Sequence, residues 1–246
     1  MIEKKECSTS ASCFRCSFIV GSGSVDSSGT LRRSELFRIF QKAASADLER
    51  TNLSVGRMSL LKLAWVITEQ YVEIRRMPCA GEKVTVETWP GKTKHVFFPR
   101  YYRLLEENGR ELAKGCSEWV LMDEEKRSLA FPNIYGIHTD AVITGNEILM
   151  LRSVRRPVLE KTLTFTVPPD AIDSNGHMNN AAYFDLADEV IPMVDDVAPK
   201  SMHIQYFKEL RQGDVIEVGC SSSDGVCFME GCSEDQIYFR MRMIWE

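Results

Sequence analysis

Apolar and polar positions follow two different periods along this chain. Apolar residues recur at helical spacing over residues 31–48, and a shorter stretch of the same kind covers 181–191, where Pro192 is expected to end a second helix. Elsewhere the apolar residues mostly alternate with polar ones, as in half-buried strands. The strands predicted in this way are 14–20, 65–74, 83–88, 96–105, 111–122, 162–167, 202–207, 214–220, 226–230 and 236–245.

The pattern repeats within the chain. Residues 25–33 (VDSSGTLRR) and 172–180 (IDSNGHMNN) both place a polar turn before a helical stretch. Further pairs follow in the same order, namely Phe37 with Phe184 and 71–82 with 203–214. Several matches in one order are much less expected by chance than a single match. We therefore expect two diverged copies, an N-terminal domain at 1–145 and a C-terminal domain at 146–246.

Each copy has one helix followed by a run of strands with connections of hairpin length. This order favours an α+β class, in which an antiparallel sheet wraps around one central helix. Such a unit is a hotdog fold, and the chain is expected to contain two of them in tandem. A chain of 246 residues is long enough to bury a core without disulfides or a structural metal.

Charge and composition exclude several classes of protein. The net charge of −5 argues against a dedicated nucleic-acid binder, and no apolar stretch is long enough to span a membrane. The N-terminal residues lack the apolar segment of a signal peptide, so we expect a cytoplasmic protein with mostly reduced cysteines. Cys13 and Cys16 have the only CxxC spacing. Without a metal-binding cluster or a phosphate-binding glycine loop, no cofactor and no metal are expected.

One polar segment combines groups that could do chemistry. In an extended stretch Asp173, Asn175 and His177 would point to the same face. Asn179 or Asn180 can cap the helix that follows, whose N-terminal N–H groups suit an oxyanion. A histidine, an amide and several backbone donors would thus converge on one place.

A plain turn explains part of the same segment, because Asp-Ser-Asn-Gly is common turn chemistry. The repeat favours the active site. The first copy has Ser28 and Thr30 where the second has Asn175 and His177. A duplicated enzyme that has kept a single active site would have these polar residues in one copy and not in the other.

Glu209 is the second position at which the copies differ. The repeat places it opposite Met77 of the first copy, so an ionisable group again occurs only in the second half. A surface glutamate paired with Lys208 or Arg211 is the alternative. With the repeat, Glu209 becomes a candidate general base.

Ordered motifs over residues 14–245 resemble the acyl-acyl-carrier-protein thioesterases, tandem hotdog proteins of plants and bacteria. The motifs are FQKAA at 40–44, WVI at 65–67, VEIRRMP at 72–78, GE at 81–82, TWP at 88–90, SEWV at 117–120 and DSNGHMNN at 173–180. The resemblance implies hydrolysis of a fatty acyl thioester on acyl carrier protein, which would terminate fatty acid synthesis. It also associates the acyl-chain pocket with the first half of the chain.

The resemblance assigns the family's catalytic residues to Asp173, Asn175, His177 and Glu209. Some members have a cysteine directly after the glutamate, where this chain has Leu210, so a cysteine nucleophile is not expected. Glu209 would activate water with a pKa raised by burial, while His177 assists and Asn175 with backbone N–H groups stabilises the oxyanion. Attack by the carboxylate of Glu209 or Asp173, through an anhydride, is the competing route.

The expected partner, acyl carrier protein, is acidic, so binding requires a local basic patch on this acidic chain. The candidate residues are Arg152, Arg155, Arg156, Lys92, Lys94 and Arg100. The alternative functions are an acyl-CoA thioesterase, a hotdog dehydratase or hydratase, and a non-catalytic acyl-binding regulator. A monomer and a homodimer are both compatible with two tandem units.

Overall fold

The computed structural model describes residues 3–9, 13–150, 158–191 and 197–245, and for residues 3–9 and Lys161 it describes the backbone. The contacts divide the described residues into two compact units. The first unit holds the residues up to Gln70 and those from Arg75 to Met150, and the second holds Tyr71–Ile74 with the residues from 158 onward. The domain boundary between residues 145 and 146 stays a prediction from the sequence.

The elements of the first unit follow the predicted order of one main helix and several strands. They are β1 (Glu3–Thr9), β2 (Phe14–Ile19), α1 (Arg33–Leu48), α2 (Val55–Leu60), β3 (Leu63–Ile74, whose last four residues belong to the second unit), β4 (Lys83–Pro90), β5 (Phe98–Glu106), β6 (Glu111–Asp123) and β7 (Ser128–Ala130). The strands lie in the order β1-β2-β4-β5-β6-β3, with β7 paired to β6. The neighbours from β1 to β6, and β6 with β7, are antiparallel.

Helix α1 packs on β2 and β4 with the stripe that the sequence predicted. Leu36, Phe37 and Phe40 are almost completely buried, and the Phe40 ring stacks on Tyr102 of β5 with centroids 4.7 Å apart. Burial of one helix face against a sheet supplies most of the stability of such a unit, because apolar area is removed from water on both surfaces.

The second unit has the same construction with fewer strands. Its elements are β8 (Lys161–Thr166), α3 (Ala182–Val190), β9 (Ser201–Tyr206), β10 (Val215–Ser223), β11 (Val226–Ser233) and β12 (Gln236–Ile244). Its sheet has the antiparallel order β9-β12-β11-β10-β8. In β12 the predicted alternation is confirmed, since Phe239, Met241 and Met243 are buried.

The predicted fold class is confirmed in each unit, and the predicted elements occur within a few residues of the expected bounds. Helix α2 and strands β1 and β7 were not predicted. Pro192, expected to end the second helix, lies outside the described residues. The seven cysteines whose side chains are described are outside disulfide bonds, with Cys16 buried and Cys13 partly exposed. Within the described residues, none of the helices combines the length and apolar character needed to cross a membrane.

Candidate active site

The segment from Asp173 to His177 forms a tight turn ahead of α3. The Asp173 amide donates to the His177 carbonyl oxygen at 2.8 Å, and Gly176 has the left-handed φ of +79° that glycine adopts without steric cost. The Asp173 Oδ1 atom accepts the amides of Asn175 at 2.8 Å and His177 at 3.3 Å. The segment is therefore turned rather than extended, and the expectation that its side chains share a face by strand alternation was wrong.

The first unit builds the same turn with other side chains. The Asp26 Oδ1 atom accepts the amides of Ser28 at 2.9 Å and Thr30 at 3.1 Å, and Gly29 has a φ of +81°. The Asp26 amide donates to the Thr30 carbonyl oxygen at 2.8 Å, as in the second unit. Because this turn forms with serine and threonine, its geometry requires neither an asparagine nor a histidine.

In the second unit a hydrogen bond joins this turn to the segment after β9. The Met178 amide donates to the Leu210 carbonyl oxygen at 2.7 Å. The first unit has the equivalent bond, from the Leu31 amide to the Pro78 carbonyl oxygen at 2.8 Å. The residues that precede the two acceptors, Glu209 and Met77, are therefore equivalent, as the repeat predicted.

The structure brings His177 and Glu209 together. The Nε2 atom of His177 lies 3.0 Å from Oε2 of Glu209, and 24% of the histidine side chain and 41% of the glutamate side chain are exposed. The expectation that Glu209 is buried was wrong. An imidazole N–H that faces the carboxylate can hold it in place.

Two cationic residues flank Glu209, and one of them approaches the pair. The Nη2 atom of Arg211 lies 3.5 Å from the same Nε2 atom of His177. Lys208 instead places its ammonium group over the Tyr238 ring, 5.3 Å from the centroid. The sequence indicated Arg211 only as a surface partner for Glu209, whereas the structure places it beside the histidine.

Tyr183 of α3 is a neighbour of the pair that the sequence reasoning missed. Its ring packs edge-on against Tyr206 at 5.2 Å and Phe239 at 5.0 Å. Burial, and then the charges of Glu209 and Asp214, raise the pKa of Tyr183, so its phenol stays protonated at neutral pH. Its place on the apolar stripe of α3 made Tyr183 indistinguishable from a core residue.

The N-cap of α3 is Ala181, which has no side-chain cap hydrogen bond, and the expected cap Asn179 instead binds the turn just before the helix. The Asn179 side-chain oxygen accepts the Ala181 amide at 2.9 Å, and its carbonyl oxygen accepts the Ala182 amide at 2.8 Å. The expectation that the backbone N–H groups of the helix start serve an oxyanion was therefore wrong for these two amides. The exposed amide side chain of Asn175 is the other donor that the sequence predicted.

The structure changes the set of candidate basic residues for carrier binding. Arg100 is only 6% exposed, and its Nη1 atom lies 2.9 Å from Asp47 Oδ2 and donates to Thr88 Oγ1 at 3.1 Å. Arg100 was therefore wrongly predicted as a surface cation, because this strand position is buried and paired. Lys92 and Lys94 are exposed. The linker candidates outside the described residues are Arg152, Arg155 and Arg156.

Two family models match this chain. The acyl-ACP (acyl carrier protein) thioesterase N-terminal domain matches residues 11–131, and the acyl-ACP thioesterase C-terminal domain matches residues 158–245. Together these matches cover most of the 246 residues.

Curated relatives have the same family name at low identity. Oleoyl-acyl carrier protein thioesterase 1, chloroplastic, from Arabidopsis thaliana is 24% identical over 92% of this chain and 70% of the relative. Palmitoyl-acyl carrier protein thioesterase, chloroplastic, from the same plant is 24% identical over 67% of this chain and 42% of the relative. This chain spans 60% of a second oleoyl-acyl carrier protein thioesterase of Arabidopsis thaliana and about half of several other relatives.

Solved structures show the same fold over nearly the whole chain. The 12:0-ACP thioesterase from Umbellularia californica has a TM-score of 0.81 and 21% identity, covering 97% of this chain and 99% of that one. An acyl-ACP thioesterase from Bacteroides thetaiotaomicron has a TM-score of 0.80 and 19% identity, covering 94% and 97%. The two units are hotdog folds, and the chain belongs to the acyl-ACP thioesterase family.

Proposed function

We propose that this chain hydrolyses fatty acyl thioesters on acyl carrier protein to a free fatty acid and the carrier thiol. The observation that carries the proposal is the 3.0 Å contact between His177 and Glu209 in one unit. The other unit has Thr30 and Met77 at the equivalent positions of the same backbone frame. Membership of the family supports the carrier-bound substrate.

The proposed reaction begins with water beside Glu209. The carboxylate takes a proton from the water as its oxygen forms a bond to the thioester carbon, and the carbonyl oxygen becomes an oxyanion. The side-chain amide of Asn175 donates to that oxyanion. When the tetrahedral intermediate collapses, the C–S bond breaks and the proton moves from Glu209 to the departing sulfur. His177 holds the carboxylate throughout.

Asp173 supports this reaction without touching the substrate. One of its carboxylate oxygens already accepts the amides of Asn175 and His177, which fixes the turn that carries both side chains. Both amides bond to Oδ1, so the other oxygen of Asp173 could attack a thioester without breaking these hydrogen bonds. The anhydride route stays open to both Glu209 and Asp173, and it competes with activation of water.

The roles of the two units belong to the same proposal. The N-terminal domain binds the acyl chain, and the C-terminal domain carries the four site residues. The shared turn supports the placement of the site residues, because its backbone geometry and its aspartate occur in both units and its histidine only in the second. Cytoplasmic location, a monomer or homodimer, and the absence of a cofactor stay predictions from the sequence.

Glu209→Gln and His177→Ala test the proposal. Loss of a general base or of its partner removes about 10²- to 10⁴-fold of rate, and loss of one oxyanion donor in Asn175→Ala about 10²- to 10³-fold. We expect these losses in kcat, with KM little changed, because the groups act at the reacting atoms. The measurement is thiol release from acyl carrier protein substrates of several chain lengths, beside the matching acyl-CoA substrates.

Each outcome has a distinct meaning. Turnover of acyl carrier protein substrates that Glu209→Gln and His177→Ala both abolish supports the proposed function. Equal or better turnover of acyl-CoA would make the chain an acyl-CoA thioesterase. Tight acyl binding without any turnover would contradict an enzyme and indicate a regulator. The first-unit variant Met77→Leu is the control and should leave kcat unchanged.

A further inference from the structure

We propose that Arg211 is a positioning residue whose charge keeps the Glu209–His177 pair as a carboxylate beside a neutral imidazole. This inference rests on the proposed function, in which Glu209 must be unprotonated to accept a proton from water. Arg211 would not contact the substrate but would act through the pair.

The Nε2 atom of His177 lies close to both Glu209 and Arg211. This atom lies 3.0 Å from Glu209 Oε2 and 3.5 Å from Arg211 Nη2. A neutral imidazole nitrogen either donates one hydrogen or accepts one. The guanidinium of Arg211 can only donate, so Nε2 accepts from Arg211 in one tautomer and donates to Glu209 in the other, and in both the neutral ring lies beside a positive charge. That charge disfavours a second proton on the imidazole and favours the anionic carboxylate.

The first unit has an equivalent position to Arg211, which shows what the backbone there requires. The Arg211 amide donates to Asp214 Oδ2 at 2.8 Å, and the Cys79 amide of the first unit donates to Glu82 Oε1 at 3.0 Å. Cys79 is thus the first-unit equivalent of Arg211, in a loop with the same amide-to-carboxylate hydrogen bond. This loop conformation forms with a cysteine in the first unit, so the fold of the loop does not require an arginine at position 211.

The histidine, the glutamate and the arginine all occur in the second unit, and all three are missing from the equivalent positions of the first. Those positions hold Thr30, Met77 and Cys79. A cation that belonged only to the turn would be expected in either unit. Its presence beside the ionisable pair indicates that its charge serves the pair.

Other charged and titratable groups near Glu209 and His177 also contribute to the electrostatic potential at the pair. Tyr183 faces Glu209 from α3, and its raised pKa keeps it neutral. Asp173 lies in the turn and accepts two backbone amides, and Asp214 precedes β10 and accepts the Arg211 amide. Lys208, on the same segment as Glu209, lies over an aromatic ring. Among the residues that the structure describes, Arg211 is thus the cation that contacts the histidine ring.

Arg211→Gln tests the inference through the pH dependence of kcat/KM. Removal of a positive charge about 4 Å from an exposed pair should move the acid limb about half a pH unit upward, which is about threefold in rate at a fixed acidic pH. Above the limb the variant and the wild type should agree within about twofold, with KM unchanged. Arg211→Lys keeps the charge and should recover most of the shift.

Lys208→Gln is the matched control. It removes the same charge from the neighbouring side of Glu209, but from an ammonium that lies over Tyr238 rather than beside the histidine. We expect less than half of the Arg211→Gln shift. An equal shift would overturn the inference in favour of a general charge effect, and a loss of kcat that is the same at every pH would indicate a purely structural role.

NMR titration of His177 separates this inference from the proposed function. Its signal is identified among the four histidines by its loss in His177→Gln. In Arg211→Gln the titration midpoint of His177 should move upward by the same half unit, whether or not a substrate is turned over. An unmoved midpoint overturns the inference. Absence of turnover in the wild type, with a moved midpoint, contradicts the proposed function alone.

Discussion

Asp173 and Asp26 accept equivalent backbone amides in the two units, and Asp26 also accepts the Ser28 hydroxyl at 2.6 Å, so their effects can be compared. Each accepts two backbone amides within one turn. Hydrogen bonds to a charged acceptor are among the stronger ones in proteins. The difference lies in what the turn carries, because His177 extends from one and Thr30 from the other.

Asp173→Ala should lower both stability and activity. Loss of the shared acceptor is expected to reduce the free energy of unfolding by about 1–2 kcal/mol. Displacement of the turn should reduce kcat/KM by about tenfold or more, because small misplacements of reacting groups are costly. Urea unfolding and thiol release measure the two effects.

Asp26→Ala is the control for that variant. It should lose a similar amount of stability, while kcat/KM stays within about twofold of the wild type. A similar loss of activity in both variants would mean that the turn acts through general stability. It would then give no support to a positioning role for Asp173.

At the scale of elements, alternation predicted the strands whose two faces differ. Strand β12 was predicted because Phe239 and Met241 alternate with polar residues. Strand β1 (EKKECST) has almost no apolar positions, β7 has three residues, and α2 buries only Met58. These elements depend on their neighbours for pairing or burial, which the pattern of a single segment does not contain.

The site shows the same division. The repeat located Glu209 because its register follows from matching segments, which backbone hydrogen bonds then reproduce. The approach of Arg211 to His177 depends on side-chain direction in an irregular segment, for which the sequence has no period. Tyr183 and Arg100 were misjudged for another reason, because residue type alone indicates neither a polar role in a core nor a buried ion pair.

Arg76 joins two glutamates of the first unit, Glu82 just before β4 and Glu106 in β5, and these contacts predict a pH dependence of stability. It follows β3, binds both carboxylate oxygens of Glu82 at 2.8 Å and contacts Glu106 of β5 at 2.7 Å. The guanidinium lowers the pKa of both carboxyl groups below the ordinary 4.5. Such groups stabilise the folded state above their unfolded pKa, and the contribution disappears as the pH falls through the folded pKa.

Arg76→Gln should therefore unfold at a lower urea concentration than the wild type at neutral pH. The difference should narrow as the pH is lowered below about 4.5, because both carboxylates become protonated. Lys83→Gln removes a single exposed pair with Glu107 at 3.4 Å and should have little effect. If Arg76→Gln still unfolded at a lower urea concentration than the wild type by the same amount in acid, the charges of Glu82 and Glu106 would not explain how Arg76 stabilises the fold.

At the scale of the whole molecule, the two units have the same fold and are proposed to have different roles, acyl-chain binding in the first and catalysis in the second. Phe37 and Phe184 are equivalent residues on α1 and α3, and both are almost completely buried. If the first unit binds the acyl chain, a change of core shape there should alter which chain lengths are hydrolysed. The same change in the second unit should alter stability without altering that preference.

Phe37→Leu and Phe184→Leu make this comparison with one chemical change. Both should lower the free energy of unfolding by about 1 kcal/mol, a usual cost for a core substitution. Only Phe37→Leu should change the ratio of kcat/KM between short and long acyl chains, because shape differences in an apolar pocket are worth about 10- to 200-fold per methylene at most. A changed ratio in Phe184→Leu with an unchanged ratio in Phe37→Leu would reverse the proposed roles of the two units, since the chain-length determinant would then lie in the unit that holds His177 and Glu209.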